Sequence, residues 1–365
     1  MRILHINCNY LRSTLHQTMI EYLNGLGYDN QVFVPIYHGS EQIIEPADYA
    51  VVSECFKYWD RILFDYKQSK IIKACERQYD IASFDLIHAY TLFTDGNAAR
   101  VLSKKYGVPY VAAIRNTDVN DFFAKLPFLR SRGVKTMLDA KRVFYLSEAY
   151  KNTVFRRFVP EKYHSSLEGK SDTIPNGIDP FWLSGVAKAK SPGDPVRLIY
   201  AGGIDRNKNI GATQQAMEIL REEGIKTTLT AVGKIVEKDV YDQIIKDGYT
   251  TYHEPVRKEK LADLYRQHDI FVMPSFAESF GLVYAEALSC GLPVIYSEGQ
   301  GFDKQFDEGY VGYHVDSHSA ESVAEGIKNI IKNYASLSAN APDAAKKFDW
   351  NVIAGQYHGI YRDIV

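Results

Sequence analysis

Residues 270–296 read IFVMPSFAESFGLVYAEALSCGLPVIY. The apolar run Ile270–Met273 is followed by a loop and by a helix-length segment that ends near Gly291. A second apolar run follows over Pro293–Tyr296. A short β-rich run, a helix and another β-rich run predict a βαβ unit, from which parallel sheets are built.

The same alternation runs through both halves of the chain. Strands are predicted at Arg2–Ile6, Gln31–Pro35, Leu86–Ala89, Tyr110–Ile114, Val143–Leu146, Arg197–Ala201, Thr228–Val232, Thr251–His253, Ile270–Met273 and Pro293–Tyr296. Helices are predicted between them, for example at Lys70–Tyr79, Asn97–Tyr106, Ala212–Glu223 and Lys258–Arg266. The pattern favours an α/β fold with doubly wound parallel sheets that are covered by helices on both faces.

The alternation breaks once, over residues 176–195, which contain three Pro and three Gly. This composition indicates a linker between two domains, and a length of 365 residues agrees with about 150 residues per domain. We predict a Rossmann-like domain at 1–185, a second Rossmann-like domain at 186–345 and a final amphipathic helix within 346–365.

Composition excludes several classes of protein. The formal net charge is −2, from 43 Lys and Arg against 45 Asp and Glu, which does not favour a general nucleic-acid binder. No apolar run approaches the roughly 20 residues of a membrane span, and the start MRILHINCNY lacks the pattern of a signal peptide. We therefore expect a cytoplasmic protein. The spacing of Cys8, Cys55, Cys75 and Cys290 indicates neither a disulfide framework nor a zinc site.

Residues 122–163, here called the basic segment, carry ten Lys and Arg against three acids, a net charge of 10 − 3 = +7. Phe and Leu residues lie between these charges. One interpretation is a solvated face on two helices. The other is contact with an anionic membrane or a lipid-phosphate acceptor, which would place the protein at the inner face of a membrane.

A first candidate site follows the strand at Ile270–Met273. Gly281 allows a tight turn into the helix, so the amides of Ser279–Leu282 are expected to be unpaired donors that could bind an anion such as a diphosphate. Glu278 and Glu286 could accept hydroxyl groups of a sugar and a ribose. The alternative is a capped helix with two surface acids.

A second candidate site follows the strand at Arg197–Ala201. Two glycines, Gly202 and Gly203, and two cations, Arg206 and Lys208, precede a helix, which is typical of a phosphate-binding loop. The segment matches neither a dinucleotide fingerprint nor a P-loop. The alternative is a glycine-rich turn with solvated cations.

A third polar cluster follows the strand at Tyr110–Ile114. Arg115, Asn116 and Asp118 could hold a sugar or an acceptor. The alternative is a helix cap made by Asp118 or Asn120. The sequence has no Asp-x-Asp pair that would bind a divalent metal, and it has neither a zinc helix nor a serine-hydrolase elbow.

These motifs together resemble a known family. Glu278 and Glu286, spaced E-x7-E within PSFAESFGLVYAEALSCGLPVI, resemble the signature of the retaining glycosyltransferases of family four, which have the GT-B fold. IPNGID at 174–179, YAGGIDRNKNI at 200–210 and the segment from Phe348 to Trp350 are similar to other segments of that family. The resemblance covers most of residues 170–365 and is diffuse over 1–170.

The resemblance implies two Rossmann-like domains that face a cleft, with a nucleotide-sugar bound mainly by the second. It implies that Glu278 contacts the donor sugar, Glu286 the ribose, and Lys208 the diphosphate. Further donor contacts are implied for Gly202, Gly203, Ser279, Phe280, Gly281 and Leu282, and for the base at Gly233, Lys234 and Val256. The final helix is implied to cross back onto the first domain.

Three departures from the family pattern concern the phosphate loop and the first domain. Gly203 replaces the loop arginine, for which Arg206 could substitute. The glycine pair after the first strand is absent, and Ser13 and Thr14 could supply acceptor contacts there. The histidine after the strand at Tyr110–Ile114 is absent, and Arg115 and Asn116 stand in its place.

The sequence therefore predicts a retaining hexosyl- or N-acetylhexosaminyl-transferase that uses a nucleoside-diphosphate sugar, with UDP expected from family frequency. The acceptor would be a glycan, a lipid-linked molecule or a protein in polysaccharide or glycoconjugate assembly. No cofactor, metal or nucleic acid is expected. The alternatives are a catalytically inactive GT-B partner that binds glycan and a sugar-nucleotide epimerase.

Overall fold

The computed structural model describes residues 1–185 and 191–365. Contacts between Cα atoms divide the chain into two compact units. The first unit comprises Met1–Leu146, Lys151–Pro175 and Trp350–Val365, and the second comprises Ser147–Tyr150 and Asn176–Asp349. The domain boundary is predicted between residues 185 and 186. It adjoins residues 186–190 of the predicted linker, and these residues lie outside the described ones.

The first unit contains a seven-stranded sheet in the order β3-β2-β1-β4-β5-β6-β7, in which every pair of neighbours is parallel. Its strands are β1 (Arg2–Ile6), β2 (Asp29–Tyr37), β3 (Ala50–Phe56), β4 (Leu86–Ala89), β5 (Tyr110–Ala113), β6 (Arg142–Tyr145) and β7 (Ser171–Thr173).

The second unit contains a six-stranded parallel sheet in the order β10-β9-β8-β11-β12-β13. Its strands are β8 (Val196–Ala201), β9 (Thr227–Val232), β10 (Thr250–His253), β11 (Ile270–Val272), β12 (Val294–Ser297) and β13 (Gly312–Val315). The prediction of two parallel α/β sheets is confirmed.

Helices occupy most connections between these strands. The helices up to residue 183 are α1 (Leu15–Gly25), α2 (Phe64–Gln78), α3 (Asp95–Tyr106), α4 (Arg130–Asp139), α5 (Glu148–Phe158), α6 (His164–Glu168) and α7 (Pro180–Leu183). Those after residue 190 are α8 (Ile210–Glu222), α9 (Lys238–Ile244), α10 (Lys258–Gln267), α11 (Leu282–Ser289), α12 (Ala320–Lys332), α13 (Tyr334–Ala345) and α14 (Trp350–Ile364).

The final helix α14 is part of the core of the first unit. Its residues Trp350, Tyr357 and Tyr361 are buried in one cluster with strand residues such as Ile3 and Val111. The Tyr361 hydroxyl lies 2.5 Å from Nδ1 of His88, which is buried on β4. Burial of these aromatic rings contributes about 2 kcal/mol or more each, so α14 is a stabilising element of that unit.

Three strands of the structure were not predicted: β3, β7 and β13. Each lies at an edge of its sheet. Edge strands are often short and carry polar residues because one side has no partner strand. β7 has the sequence SDT, and the apolar residues at the start of β3, AVVSECF, are interrupted by Ser53 and Glu54, so neither presents a long apolar run.

In each sheet the strand order reverses at one point, between β1 and β4 in the first unit and between β8 and β11 in the second. The loops that follow these neighbouring strands diverge and leave a crevice at the carboxyl edge. In open α/β sheets this crevice is where ligands bind. The predicted phosphate loop follows β8, and the predicted Glu278 loop follows β11.

Candidate active site

Asn207 joins the two loops at the reversal point of the second unit. Its side chain donates to the carbonyl of Ala277 and accepts from the Ala277 amide, both at 3.0 Å. Its own carbonyl accepts from Phe276 at 2.8 Å. Sequence reasoning missed Asn207, although an asparagine amide in a loop is well suited to pair with backbone groups. Its three hydrogen bonds fix the distance between the phosphate loop and the Glu278 loop.

Lys208 and Glu278 form an ion pair in this joined region. Lys208 Nζ lies 2.6 Å from Glu278 Oε2, and the two side chains are 22% and 14% exposed. Asp205 accepts from the Lys208 amide at 3.0 Å and thereby caps the short turn that carries the lysine. Lys208, which is predicted to bind the diphosphate, and Glu278, which is predicted to bind the sugar, are therefore direct neighbours.

The prediction that all amides of Ser279–Leu282 are unpaired is wrong for two of them. Glu278 Oε1 accepts from the Ser279 amide at 3.0 Å and from the Phe280 amide at 3.4 Å, because a carboxylate just before a helix satisfies its first donors. The amides of Gly281 and Leu282 have no acceptor among the described residues. Two oriented donors thus remain for an anion at the start of α11.

Gly301 allows a third segment to approach the Glu278 loop. Its amide donates to the Glu278 carbonyl at 2.7 Å, and the side chain of Gln300 accepts from the Glu278 amide at 2.9 Å. A Cβ atom on Gly301 would lie 2.1 Å from the carbonyl carbon and oxygen of Ser279. Sequence reasoning missed this segment because it lies 22 residues beyond Glu278 and carries no recognisable motif.

We expect Gly301→Ala to destabilise the protein by about 2–3 kcal/mol, because the new methyl group meets backbone that cannot rotate away. Gly211→Ala is the matched control, since the Cβ there would meet no atom within 4 Å. Urea unfolding measures both variants. Equal stability of the two would show that the Gly301 segment can move without cost.

Glu286 lies on α11 and is only partly exposed. Burial raises its pKa to about 7, and the negative charge of Asp179 contributes to the increase. Asp179 is itself held by Lys258 at 2.5 Å and caps α7 by accepting from the Phe181 amide. A carboxyl group with such a pKa can change its charge when hydroxyl donors bind to it.

The segments predicted to contact a nucleotide base lie at the same edge of the second sheet. Gly233 donates to the carbonyl of His253, and a Cβ on it would lie 1.7 Å from the Gly202 carbonyl oxygen. The Gly203 carbonyl accepts from the hydroxyl of Tyr200 at 2.6 Å. The Lys234 carbonyl accepts from the amide of Ile204, and Val256 is partly buried in the loop after β10.

Arg206 pairs with acidic residues outside the Lys208–Glu278 site. Its guanidinium pairs with Glu237 at 3.2 Å and with Asp239, and its side chain is 71% exposed. Neither Lys208 nor Glu278 contacts it through a hydrogen bond or ion pair. To replace the missing loop arginine, Arg206 would have to leave two carboxylates, although exposed ion pairs of this kind are weak.

In the first unit, Asp118 is fully buried and its carboxylate accepts from the amides of Leu92, Phe93 and Arg115 at 2.9–3.1 Å. Burial raises its pKa to about 6 against the effect of these donors. The contact of Asp118 with an acceptor stays a prediction, although its carboxylate oxygens already accept from these backbone amides. The carboxylate fixes the turn after β5 and ties it to the segment after β4, but it does not cap the short helix at Asp118–Phe123, whose N-cap position is Thr117.

The other predicted residues of the first unit lie near the carboxyl ends of β1 and β5. Arg115 Nε donates to the carbonyl of Tyr90 at 3.4 Å, and Asn116 accepts from the side chain of Asn120. Ser13 and Thr14 are exposed just before α1. Four of the five predicted residues, all except Asp118, thus have at least partial exposure to solvent.

Many charges of the basic segment are compensated within the protein. At least four of its cations have acidic partners: Lys125 with Asp121, Arg132 with Asp65, Arg142 with Asp172 and Lys151 with Glu168. These pairs compensate part of the charge of the segment, and its contact with a membrane or a lipid phosphate stays a prediction. Within the described ranges, no helix has the length and apolar character of a membrane span. In the same residues, no group of three His, Cys, Asp or Glu side chains is placed to share a metal ion.

Comparison with known proteins identifies the family. The profile described as glycosyl transferases group 1 matches residues 186–348, and that of glycosyltransferase family 4 matches 14–181. A D-inositol 3-phosphate glycosyltransferase of Rhodococcus jostii is 36% identical over 313 residues, which are 79% of this chain and 68% of the relative.

Solved structures agree on the fold. Sucrose-phosphate synthase from Thermosynechococcus elongatus has a TM-score of 0.79 at 20% identity, with 100% of this chain and 99% of that chain covered. Anabaena HepE, solved with UDP-glucose, has a TM-score of 0.69 at 16% identity, with both chains fully covered (100%). The chain has the GT-B fold and belongs to the family 4 (group 1) glycosyltransferases.

Proposed function

We propose that the protein transfers a sugar from a nucleoside-diphosphate sugar to an acceptor hydroxyl with retention of configuration. The observation that carries the proposal is the Lys208–Glu278 ion pair beside the unpaired amides of Gly281 and Leu282. One ammonium and two oriented N–H groups suit a diphosphate, and a carboxylate 2.6 Å away suits the hydroxyls of the attached sugar.

In the proposed reaction, the bond between the sugar C1 and the diphosphate oxygen breaks, and a bond from C1 to the acceptor oxygen forms on the same face. The acceptor proton passes to the leaving diphosphate. Negative charge grows on that diphosphate in the transition state, so Lys208 and the α11 amides would lower the barrier by binding it most strongly there. Glu278 would orient the sugar.

Glu286 would accept the two hydroxyls of the nucleotide ribose. UDP is the proposed nucleotide, supported by the UDP-glucose complex of HepE, which shares the fold. A hexose or N-acetylhexosamine is the proposed sugar, without a metal in the transfer step. The relative's name states that it acts on D-inositol 3-phosphate. For this chain we propose a glycan, lipid-linked or otherwise phosphorylated acceptor in glycoconjugate assembly.

A thermal-shift panel with UDP, GDP and ADP tests nucleotide binding. UDP at about 100 times its dissociation constant should stabilise the wild type by about 2.7 kcal/mol. Glu286→Ala should lose most of that shift, whereas Lys238→Ala, which removes an exposed cation paired with Asp242, should keep it. If no nucleotide shifts the wild type, the proposed donor site does not exist.

A further inference from the structure

The loop after β12 brings another polar side chain against the Glu278 loop. Gln300 Oε1 accepts from the Glu278 amide at 2.9 Å, and the Glu278 carbonyl accepts from the amide of the next residue, Gly301, at 2.7 Å. All three residues belong to the second unit. Gln300 is therefore a direct neighbour of the residue that is predicted to bind the sugar.

The turn that carries Gln300 is held on both sides. The Gln300 amide donates to Ser297 at 3.3 Å, and the Gln300 carbonyl accepts from the amide of Asp303 at 2.9 Å. The carboxylate of Asp303 is 6% exposed, accepts from the Gly299 amide at 2.8 Å and lies 3.3 Å from Nδ1 of His314. A half-buried side chain on a turn held in this way loses little conformational freedom when a ligand binds, which favours a role in recognition.

The hydrogen bond to Glu278 decides which end of the Gln300 amide stays free. A backbone N–H can only donate, so the oxygen of the side chain must face it and the nitrogen must point elsewhere. Nε2 carries two N–H groups, has no acceptor among the described residues and is not shielded from solvent. An unused donor thus lies next to the Glu278 loop.

The carboxylate of Glu278 can accept hydrogen bonds but cannot donate them. Its Oε1 accepts from the amides of Ser279 and Phe280, and its Oε2 pairs with Lys208. A carboxylate offers roughly four lone-pair positions, of which these donors use most. A sugar hydroxyl that donates to Glu278 has an oxygen, and neighbouring hydroxyl oxygens, that need donors of their own. Gln300 Nε2 can supply one.

We propose that Gln300 determines which sugar the protein takes from the donor, by donating from Nε2 to a ring hydroxyl beside the one that Glu278 binds. The inference rests on the proposed function, since it requires a nucleoside-diphosphate sugar at Glu278. On neighbouring ring carbons, one hydroxyl donates to the carboxylate and the next accepts from the amide. The two side chains together suit a hexose that carries both hydroxyls in the matching configuration.

Selection against other sugars follows from the group that they leave unpaired. A site that forms a hydrogen bond with a substrate hydroxyl rejects an analogue without it far more strongly than an apolar pocket rejects a methylene group. A deoxy sugar lacks the hydroxyl, and an epimer directs it away from the amide. In both cases the bound sugar removes Nε2 from water without giving it an acceptor. Discrimination should therefore disappear together with the amide.

The test is a calorimetric titration of UDP-glucose, UDP-galactose and UDP-N-acetylglucosamine into the full chain, without an acceptor. The sugar that binds most tightly is then compared with its analogues that each lack one hydroxyl. In the wild type, removal of one particular ring hydroxyl should weaken binding at least about tenfold. In Gln300→Met the same removal should weaken binding less than about twofold, because methionine has a similar length but no N–H group.

Methionine also removes the acceptor of the Glu278 amide, so a purely structural role of Gln300 has to be distinguished. Such a role would weaken all donors by the same factor and leave the ratio between the parent sugar and its deoxy analogue unchanged. Gln243→Met changes an exposed glutamine of α9 and should keep the wild-type ratio. Should Gln300→Met fail to fold, Gln300→Glu replaces it, because glutamate keeps an oxygen for the Glu278 amide and has no N–H group.

UDP without a sugar separates this inference from the proposed function. Gln300→Met should bind UDP within about twofold of the wild type, because the contact is made only to the sugar. If UDP binds but the ratio between parent and deoxy analogue is the same in the wild type and the variant, the role of Gln300 is overturned and the donor site stands. A loss of UDP affinity in the variant as large as the loss of UDP-sugar affinity would assign the amide to the diphosphate and also overturn it. If UDP does not bind the wild type, the proposed function fails, and this inference fails with it.

Discussion

Lys208→Met should lower kcat/KM about 100-fold while the protein stays folded. The methionine keeps the apolar stem but removes the ammonium that lies 2.6 Å from Glu278 and beside the α11 amides. If Lys208 binds the leaving diphosphate, its loss raises the barrier most where the negative charge is greatest. Most of the effect should therefore appear in kcat, with a smaller change in KM. Steady-state kinetics with the nucleotide-sugar found by the binding panel measures both.

The ion pair makes a second variant informative. Glu278→Gln removes the negative partner but keeps the size of the side chain and its acceptor oxygen. Because the two residues contact each other, the double variant Lys208→Met/Glu278→Gln should lose less than the product of the single effects. Lys238→Ala is the control for a general loss of positive charge. Wild-type turnover in Lys208→Met would contradict the proposed role of the phosphate loop.

Arg206→Ala decides whether Arg206 replaces the missing loop arginine. The guanidinium is exposed and pairs with Glu237 and Asp239, so we expect less than a threefold change in kcat/KM, about 0.6 kcal/mol. A loss of tenfold or more would show that Arg206 leaves these carboxylates when the donor binds.

The sheets could be predicted from the sequence because their central strands are buried on both faces. β1, β4, β8 and β11 are short apolar runs, and every residue of β4 and β11 is buried. The edge strands β3, β7 and β13 lack that signal. Each has a partner strand on one side only, so polar residues are tolerated along the strand. Gly281 in the sequence predicts a tight turn into the helix at Leu282–Ser289. The structure agrees, since Gly281 has a φ of 78°, which favours glycine.

The candidate site was predictable only where a motif carries its residues. Lys208 and Glu278 are visible in the sequence, but their ion pair is not. It depends on Asn207, which joins the two distant loops, and on Gly301, which lets a third segment pack against the Glu278 loop. Asp118 is predicted as a ligand because it is polar and follows a strand. Its burial beneath three amides depends on the conformation of the turn, which the sequence does not show.

Glu286→Gln should make the protein more stable at pH 8 and, at the same time, weaken UDP binding. Burial raises the pKa of Glu286 from 4.5 to about 7, so the folded protein holds a proton that the unfolded chain releases between these values. Ionising the buried carboxyl therefore costs stability as the pH rises through this window, up to about 3 kcal/mol above pH 7. Glutamine never carries that charge, so the variant avoids the cost.

The two effects separate along the pH axis. At pH 4.5, where Glu286 is protonated in the folded protein, variant and wild type should have similar free energies of unfolding; at pH 8 the variant should be more stable. UDP affinity of the wild type should rise from pH 6 to pH 8, because the ionised carboxylate accepts ribose hydroxyls more strongly than the acid does. That rise should be absent in Glu286→Gln, whose affinity should be about tenfold lower at pH 8. A variant less stable than the wild type at pH 8 would mean that Glu286 has a favourable partner when ionised, and its burial would then serve the fold rather than the nucleotide.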